Sequence, residues 1–329
     1  MSIWTTRAVT AATASAAALA LAGCGGSDDA AAGGAGDGAG DGLTVVAGFY
    51  PLEWAAERVG GDRLDVSSLT PPGAEAHDLE LAPRDVAAVA EADLLVYLDG
   101  FQPALDAVAA TEAAGTAWDA GQAADLTLTA EEHAAEEHAA EGETAEEHAE
   151  HAGDDEALDP HFWLDPIRLA SVGDALAERL AEADPDGAAG FEQNAAALRA
   201  DLEALDTEIQ DGLAGCAVDT LVTGHDAFGY LADRYGLEVV GISGLSPSQE
   251  PDPAQLAEIT ALVRERGVTT VYTETLVDPA VAETVATEAG VRTAVLDPIE
   301  GLTDESAGSD YLEVMRANLA TLREGQSCS

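Results

Sequence analysis

The feature that most constrains the fold of this 329-residue chain is one long amphipathic helix just past its middle. After Asp184-Pro185-Asp186, apolar residues recur every three or four positions, which is the spacing of a single helix face. The stripe extends over about five to six turns and comprises Phe191, Ala195, Leu198, Leu202, Leu205, Ile209 and Leu213. Because no other stripe in the sequence is as long, residues 183–215 are predicted to connect two separate halves of the chain.

Short apolar runs alternate with short helical patterns on both sides of this helix. The strand-like runs are Leu43–Phe49, Leu64–Leu69, Asp93–Leu98, Thr220–Thr223, Leu237–Ile242, Val268–Thr273 and Arg292–Leu296. This alternation is typical of βα units, whose parallel strands share one sheet. The sequence therefore predicts an α/β fold of two βα lobes, each with a mainly parallel sheet, over residues 43–182 and 216–329.

The first 42 residues indicate export and anchoring. Residues 1–23 carry one charge before an Ala/Leu-rich run that is too short and too rich in alanine to remain as a membrane span, so they predict a signal peptide. Leu21-Ala22-Gly23-Cys24 is typical of a bacterial lipobox, in which Cys24 is lipidated; an ordinary signal with a chance cysteine is the alternative. Residues 24–42, rich in Gly, Ala and Asp, predict a flexible tether. We therefore expect an exported protein, lipid-anchored on the extracytoplasmic face or in the periplasm.

The charge balance narrows the choice of partners. There are 63 acidic residues against 13 basic ones, all of them arginine, and the formal net charge is −50. The negative electrostatic field of such a chain repels nucleic acid and anionic membrane surfaces and attracts cations. We expect no nucleic-acid partner.

An acidic insert interrupts the first lobe at residues 127–155. It has almost no large apolar side chain, so it cannot pack into a core and is predicted to be disordered without metal. It contains four of the seven histidines, His133, His138, His148 and His151. These are predicted to be auxiliary, weak metal ligands; the alternative is a solvated acidic loop.

A rigid histidine follows the insert. His161 lies in the segment Asp159–Pro166, between two Asp-Pro steps and beside Phe162 and Trp163. Each proline favours extended backbone in the residue before it, and the aromatic side chains anchor the loop on a core. A histidine fixed in this way suits a metal site, although a buried histidine bonded to a backbone carbonyl is the alternative.

Three further polar residues follow predicted strands. His77 comes after the second strand, His225 ends the first strand of the second lobe, and Asp297 follows the last strand. In open α/β sheets, ligands bind beyond the carboxyl ends of the strands, so a site in the cleft between the lobes is expected. Three imidazoles and one carboxylate are typical of a tetrahedral zinc site, whereas manganese prefers more oxygen ligands.

The sequence resembles the ZnuA-like family, the lipid-anchored solute-binding proteins of zinc ABC transporters, which is related to manganese binders. The matching segments are Phe49–Leu52, Pro72-Gly73 with His77–Glu80, Ala92–Leu94, Asp159–Pro166, Thr223–Leu231, Glu274 and Leu296–Pro298. The resemblance covers essentially the whole mature chain. It implies two lobes joined by a long rigid helix, one metal between them, and a histidine-rich loop in zinc-specific members.

The resemblance also implies roles for individual residues. His77, His161 and His225 are the implied metal ligands, with Asp297 or a water as the fourth. Glu80 and Glu274 are expected to support the site without binding metal. The family often has proline before the first histidine, and some zinc members are thought to use an acidic residue there. This chain has Ala76, which cannot bind metal, so the fourth ligand is left open. We expect a monomer that captures Zn²⁺ and delivers it to an ABC permease, without enzymatic activity.

Other functions remain as alternatives. A manganese binder of the same class would keep the site and change the ion, and a surface zinc-storage or adhesin lipoprotein would depend on the insert. A secreted zinc hydrolase is disfavoured, because no histidine in the chain is followed by glutamate and the His-Glu-x-x-His motif is therefore absent. Cys216 and Cys328 are candidates for a disulfide in an oxidising compartment, but their wide separation leaves the pairing open.

Overall fold

Two four-stranded parallel sheets organise the protein. The computed structural model describes residues 42–129, 157–249 and 251–329. The first sheet has the order β2-β1-β3-β4, with β1 Leu43–Ala47, β2 Leu64–Ser68, β3 Leu94–Tyr97 and β4 Ala117–Asp119. Its helices are α1 Tyr50–Gly60, α2 Pro83–Glu91, α3 Pro103–Glu112 and the short α4 Gly121–Ala124. β4 is a three-residue strand that the sequence pattern did not reveal.

The second sheet repeats the same arrangement. Its order is β6-β5-β7-β8, with β5 Thr220–Thr223, β6 Glu238–Gly241, β7 Thr270–Thr273 and β8 Arg292–Val295. The helices are α7 Gly229–Tyr235, α8 Pro253–Glu265, α9 Ala280–Ala289 and α10 Tyr311–Gly325. All strand pairs in both sheets are parallel. The predicted α/β fold of two parallel-sheet lobes is confirmed.

Two long helices lie between the sheets. The segment Phe162–Leu164 is a single 3₁₀ turn, after which Asp165 caps α5 (Pro166–Ala183) by accepting a hydrogen bond from the backbone N–H of Ile167 at 2.8 Å. Helix α6 (Ala188–Leu213) has 26 residues, and every residue of its predicted apolar stripe is buried. It packs against α5, α1 and α10, and so contacts helices that belong to both sheets. One continuous apolar core therefore joins the two lobes.

The C-terminal segment is fastened to the amino-terminal side of the second sheet. Cys216 and Cys328 form a disulfide, so the pairing that the sequence left open is made. Gln326 is fully buried, and its side-chain amide donates to the backbone carbonyls of Val218 (3.2 Å) and Thr220 (2.9 Å). The disulfide lies at the end of the sheet opposite to the carboxyl ends of the strands.

Several predicted features fall outside the described residues. These are the signal peptide, Cys24 and its tether, and the insert histidines His133, His138, His148 and His151. At the described root of the insert, Thr129 and Leu158 form an antiparallel bridge, and the Tyr230 hydroxyl accepts from the backbone N–H of Thr127 at 3.1 Å. Of the helices that the structure describes, none combines the length and the apolar character needed to span a membrane.

Candidate metal centre

Four side chains from four separate segments meet in the cleft between the lobes. His77 lies in the long connection between β2 and α2, and His161 in the turn before α5. His225 follows β5, and Glu300 lies in the connection between β8 and α10. Their ligand atoms all lie within 4.8 Å of one another, and the group could hold a metal ion. All three histidines expected from the sequence are thus brought together.

The distances between these atoms match a small tetrahedral cage. His161 Nε2 lies 3.3 Å from His77 Nε2 and 3.4 Å from His225 Nε2. Glu300 Oε1 lies 3.2 Å from His225 Nε2, 3.6 Å from His77 Nε2 and 3.7 Å from His161 Nε2. Ligands about 2.0–2.1 Å from a tetrahedral zinc ion lie about 3.3–3.4 Å from one another. The spacing of the four atoms therefore fits zinc.

The chemistry of the donor set also fits a cation. Glu300 Oε1 is buried and has no hydrogen-bond partner among the described residues. The side chains of His161, His225 and Glu300 are at most 2% exposed, and that of His77 is 9% exposed. A buried carboxylate oxygen faced by three imidazole nitrogens needs a positive charge to offset its desolvation. A divalent ion at the centre of the cage would supply it.

Two of the histidines are oriented by carboxylates behind them. Asp159 Oδ1 lies 2.7 Å from His161 Nδ1 and also accepts the backbone N–H of His161 at 2.9 Å. Glu274 Oε2 lies 2.7 Å from His225 Nδ1, while its Oε1 accepts the backbone N–H of His225 at 2.8 Å. A carboxylate that accepts from Nδ1–H leaves Nε2 free to bind metal and fixes the ring plane. Glu274 therefore supports the site, whereas Glu80 is exposed and outside the cage.

Gly224 makes the approach of Glu274 possible. A Cβ atom at position 224 would lie 2.5 Å from Glu274 Oε1, closer than real Cβ atoms come to a neighbour. We expect Gly224→Ala to push Glu274 away from His225 and to weaken zinc binding by about ten- to a hundredfold, the usual effect of losing such a supporting partner. Titration against a competing chelator measures this change.

Gly190→Ala is the matched control, because a Cβ at this position in α6 would meet nothing within 4 Å. It should bind zinc like the unmodified chain. Equal affinities for Gly224→Ala and Gly190→Ala would contradict the role given to Glu274.

Electrostatics keep the cage charged before metal arrives. Burial would lower the pKa of His225, but the carboxylates of Glu274 and Glu300 outweigh it and raise this pKa well above its usual value. Burial would raise the pKa of Glu300, yet the three imidazoles hold this pKa well below its usual range. Burial lowers the pKa of His77, and this effect outweighs the nearby Glu300 carboxylate, which raises it. Both shifts favour a protonated His225 beside an ionised Glu300 when no metal is bound.

Aromatic side chains form the wall of the cage on the first lobe. The Phe101 ring lies edge-on to His77 with ring centroids 4.5 Å apart, and the Trp163 ring lies 5.2 Å from His161. Phe49 packs against both Phe101 (4.7 Å) and Trp163 (4.9 Å). This wall therefore packs against the rings of two of the three histidines, His77 and His161.

The sequence predicts Asp297 or a water as the fourth ligand, whereas the structure places Glu300, and not Asp297, among the four side chains that could hold a metal ion. Asp297 Oδ1 accepts the backbone N–H of Ile299 at 2.8 Å, so its carboxylate is engaged within its own loop. Both residues follow the last strand, and the sequence offers no reason to prefer the one three positions later. Only the path of the backbone between them turns Glu300 towards the histidines.

Comparison with known proteins agrees with this geometry. The model of the family described as zinc-uptake complex component A, periplasmic (ZnuA), matches residues 45–325. The chain belongs to this family. Among curated ZnuA-family relatives, the high-affinity zinc uptake system protein ZnuA of Bacillus subtilis is 35% identical over 309 residues, covering 92% of each chain.

Other relatives of the ZnuA family are longer. The zinc-binding lipoprotein AdcA of Streptococcus pneumoniae serotype 4 is 36% identical over 288 residues, which cover 86% of this chain and 55% of AdcA. The chain thus spans about half the length of the AdcA relatives that it matches.

Solved structures of ZnuA-type proteins have the same fold. The laminin-binding protein Lmb of Streptococcus agalactiae, described as a bifunctional protein with adhesin and metal-transporting activity, superposes with a TM-score of 0.72 at 32% identity, over 87% of this chain and all of Lmb. Zn(II)-bound AdcA of Streptococcus pneumoniae superposes with a TM-score of 0.70 at 33% identity, over 87% of this chain and 58% of AdcA.

Proposed function

We propose that this protein captures Zn²⁺ outside the cytoplasm and delivers it to the permease of an ABC transporter. The observation that carries this proposal is the buried cage of His77, His161, His225 and Glu300, with ligand atoms spaced for a tetrahedral ion. Membership of the zinc-uptake family and the zinc-binding relatives support the same conclusion.

The donor set favours zinc over manganese. Three imidazole nitrogens and one carboxylate oxygen suit zinc, whereas manganese sites are richer in oxygen ligands and have higher coordination numbers. Four protein ligands also leave no open position for the water that a zinc hydrolase must activate. This supports a binding protein without enzymatic activity.

The remaining segments would place the cage where the metal is found. In this proposal, residues 1–23 direct export, the lipidated Cys24 anchors the protein to the cell membrane, and residues 25–42 tether the two lobes. The acidic insert with His133, His138, His148 and His151 would raise the local zinc concentration. The protein would act as a monomer, since each chain supplies a complete set of ligands.

Competitive titration of zinc and manganese tests the proposal. It should be done on the whole chain and on a variant in which residues 130–157 are replaced by Asn-Gly. The bridge between Thr129 and Leu158 places these residues opposite each other, so a two-residue turn can join them. We expect one tight site per chain that prefers zinc in both proteins.

Other outcomes of this titration would change the assignment. A preference for manganese would keep the transport function and make the metal wrong. Loss of the tight site with the insert would favour a zinc-storage lipoprotein. Lmb is described as having adhesin and metal-transporting activities, so adhesion is a second candidate function. A tight zinc site that does not depend on the insert would support transport and would not by itself support adhesion.

Zinc binding is expected to release protons and to weaken in acid. The pKa of His225 is raised by the carboxylates of Glu274 and Glu300, which favours a proton on its imidazole that the metal must displace. Zinc affinity should therefore increase with pH until His225 is deprotonated. Below that pH, each unit by which the pH is lowered should reduce the affinity about tenfold for each proton displaced. Calorimetric titration in buffers of different protonation enthalpy counts these protons. A zinc affinity independent of pH between 6 and 8 would contradict a protonated cage, the range being about that of ordinary histidine titration.

A further inference from the structure

The loop that carries Glu300 has an unusual backbone. Ile299, the residue before Glu300, has φ = +60° and is completely buried. A β-branched residue is rarely found in this left-handed region, because its side chain crowds the backbone there. Such a conformation persists only when the surrounding structure enforces it.

Side-chain hydrogen bonds surround the backbone at and just before Ile299. Asn318, in helix α10, accepts the backbone N–H of Asp297 through Oδ1 at 3.0 Å and donates from Nδ2 to the Asp297 carbonyl at 2.7 Å. The Trp163 indole N–H donates to the Pro298 carbonyl at 2.7 Å. The Asp297 carboxylate then accepts the N–H of Ile299 at 2.8 Å.

Asn318 is the member of this group that is separate from the metal cage. It is 4% exposed, both of its polar atoms bind the backbone of Asp297, and it is not one of the four cage residues. Trp163, by contrast, packs directly against His161. A substitution at position 318 therefore changes the loop without removing a ligand or its aromatic wall.

We propose that Asn318 is a positioning residue that sets the preference of the cage for zinc. This rests on the proposed function of the cage as a zinc site. By fixing Asp297, Asn318 keeps Ile299 in its strained conformation, and this conformation directs one Glu300 oxygen to the fourth corner of the tetrahedron. With Asn318 absent, the loop relaxes, and Glu300 is free to bind with both oxygens or to admit water. Ions that accept five or six oxygen-rich ligands then compete better with zinc.

The test compares Asn318→Ala with the unmodified whole chain. Zinc and manganese affinities are measured by competition, and the visible absorption of bound Co²⁺ reports coordination number, because four-coordinate Co²⁺ absorbs far more strongly than six-coordinate Co²⁺. We expect zinc affinity to fall about ten- to a hundredfold, manganese affinity to change less, and the Co²⁺ absorption to decrease. Circular dichroism establishes that the variant is folded.

Asn194→Ala is the matched control. Asn194 also donates from Nδ2 to a backbone carbonyl, that of Val59 at 2.9 Å, but far along the chain from the Glu300 loop. It should leave the zinc-to-manganese ratio and the Co²⁺ spectrum unchanged. Where Asn318→Ala does not fold, Asn318→Asp, which keeps the acceptor and loses the donor, is measured in its place.

A second substitution tests the role of strain. Glycine adopts positive φ without crowding, so in an Ile299→Gly background the Asn318→Ala change should alter the metal ratio less. An unchanged zinc-to-manganese ratio and Co²⁺ spectrum in folded Asn318→Ala would overturn the role of Asn318, and so would the same change in Asn194→Ala. Neither result would affect the proposed function of the cage. Absence of a tight zinc site from the unmodified chain would overturn the proposed function as well.

Discussion

Replacing His161 by alanine is expected to weaken zinc binding strongly. Its Nε2 is the ligand atom that lies close to both of the other imidazoles, and its side chain is fully buried. Structural zinc sites bind with about 10–16 kcal/mol, so one of four ligands contributes about 2.5–4 kcal/mol, and affinity should fall on the order of a hundred- to a thousandfold. Competition with a zinc chelator measures the loss.

His151→Ala is the control for this experiment, because it removes an imidazole from the insert and none from the cage. It should leave the tight site unchanged. His77→Ala is expected to have a smaller effect than His161→Ala, since His77 is the most exposed of the four side chains. If His151→Ala abolished tight binding and His161→Ala did not, the cage would not be the zinc site.

Removing the disulfide is expected to destabilise the fold without changing the zinc site. Cys216 and Cys328 are 112 residues apart, and a cross-link that closes a loop of this length stabilises a folded protein by about 4–5 kcal/mol through the entropy of the unfolded chain. The double replacement Cys216→Ser/Cys328→Ser should therefore lower the free energy of unfolding by about this amount. Urea unfolding of the metal-free protein measures it.

Reductant provides an independent check. It should destabilise the unmodified chain to the level of the double variant and leave the double variant unaffected. Cys24→Ser is the matched control, since it replaces the remaining cysteine and keeps the disulfide. Zinc affinity should be equal in all of these proteins, because the disulfide lies at the opposite end of the second sheet. Unfolding free energies that do not respond to either treatment would show that the cross-link contributes no stability.

The arrangement of the helices explains how two lobes can present one rigid site. The Trp163 side chain, next to His161, donates to the Pro298 carbonyl beside the Glu300 loop, and the Tyr311 hydroxyl of α10 donates to the Trp163 carbonyl at 2.5 Å. Ligands from the two lobes are therefore joined through buried hydrogen bonds as well as through the core around α6. We expect a cage built in this way to resist expansion and so to favour a small tetrahedral ion.

Local sequence pattern predicts much of this architecture. The apolar stripe of α6 predicted both its length and its buried face, and the alternation of strands and helices predicted two parallel sheets. Ligands of open α/β sheets bind beyond the carboxyl ends of the strands, so the sequence predicts that His77, which follows a strand of the first lobe, and His225, which follows a strand of the second, face the cleft between the lobes. The two prolines and the aromatic residues around His161 predict a rigid loop, which makes this histidine a candidate ligand.

The identity of the fourth cage residue depended on tertiary structure. Asp297 and Glu300 are three residues apart after the same strand, and sequence pattern does not distinguish them. Between them, Ile299 has a left-handed backbone, and Asn318 and Trp163, from elements distant in sequence, are hydrogen-bonded to the backbone of Asp297 and Pro298 just before it. The pairing of Cys216 with Cys328 was likewise decided by the fold, because only the packed second lobe brings these residues together. Local pattern determines which segments form strands and helices, whereas the direction of one side chain in a loop depends on every contact that holds that loop.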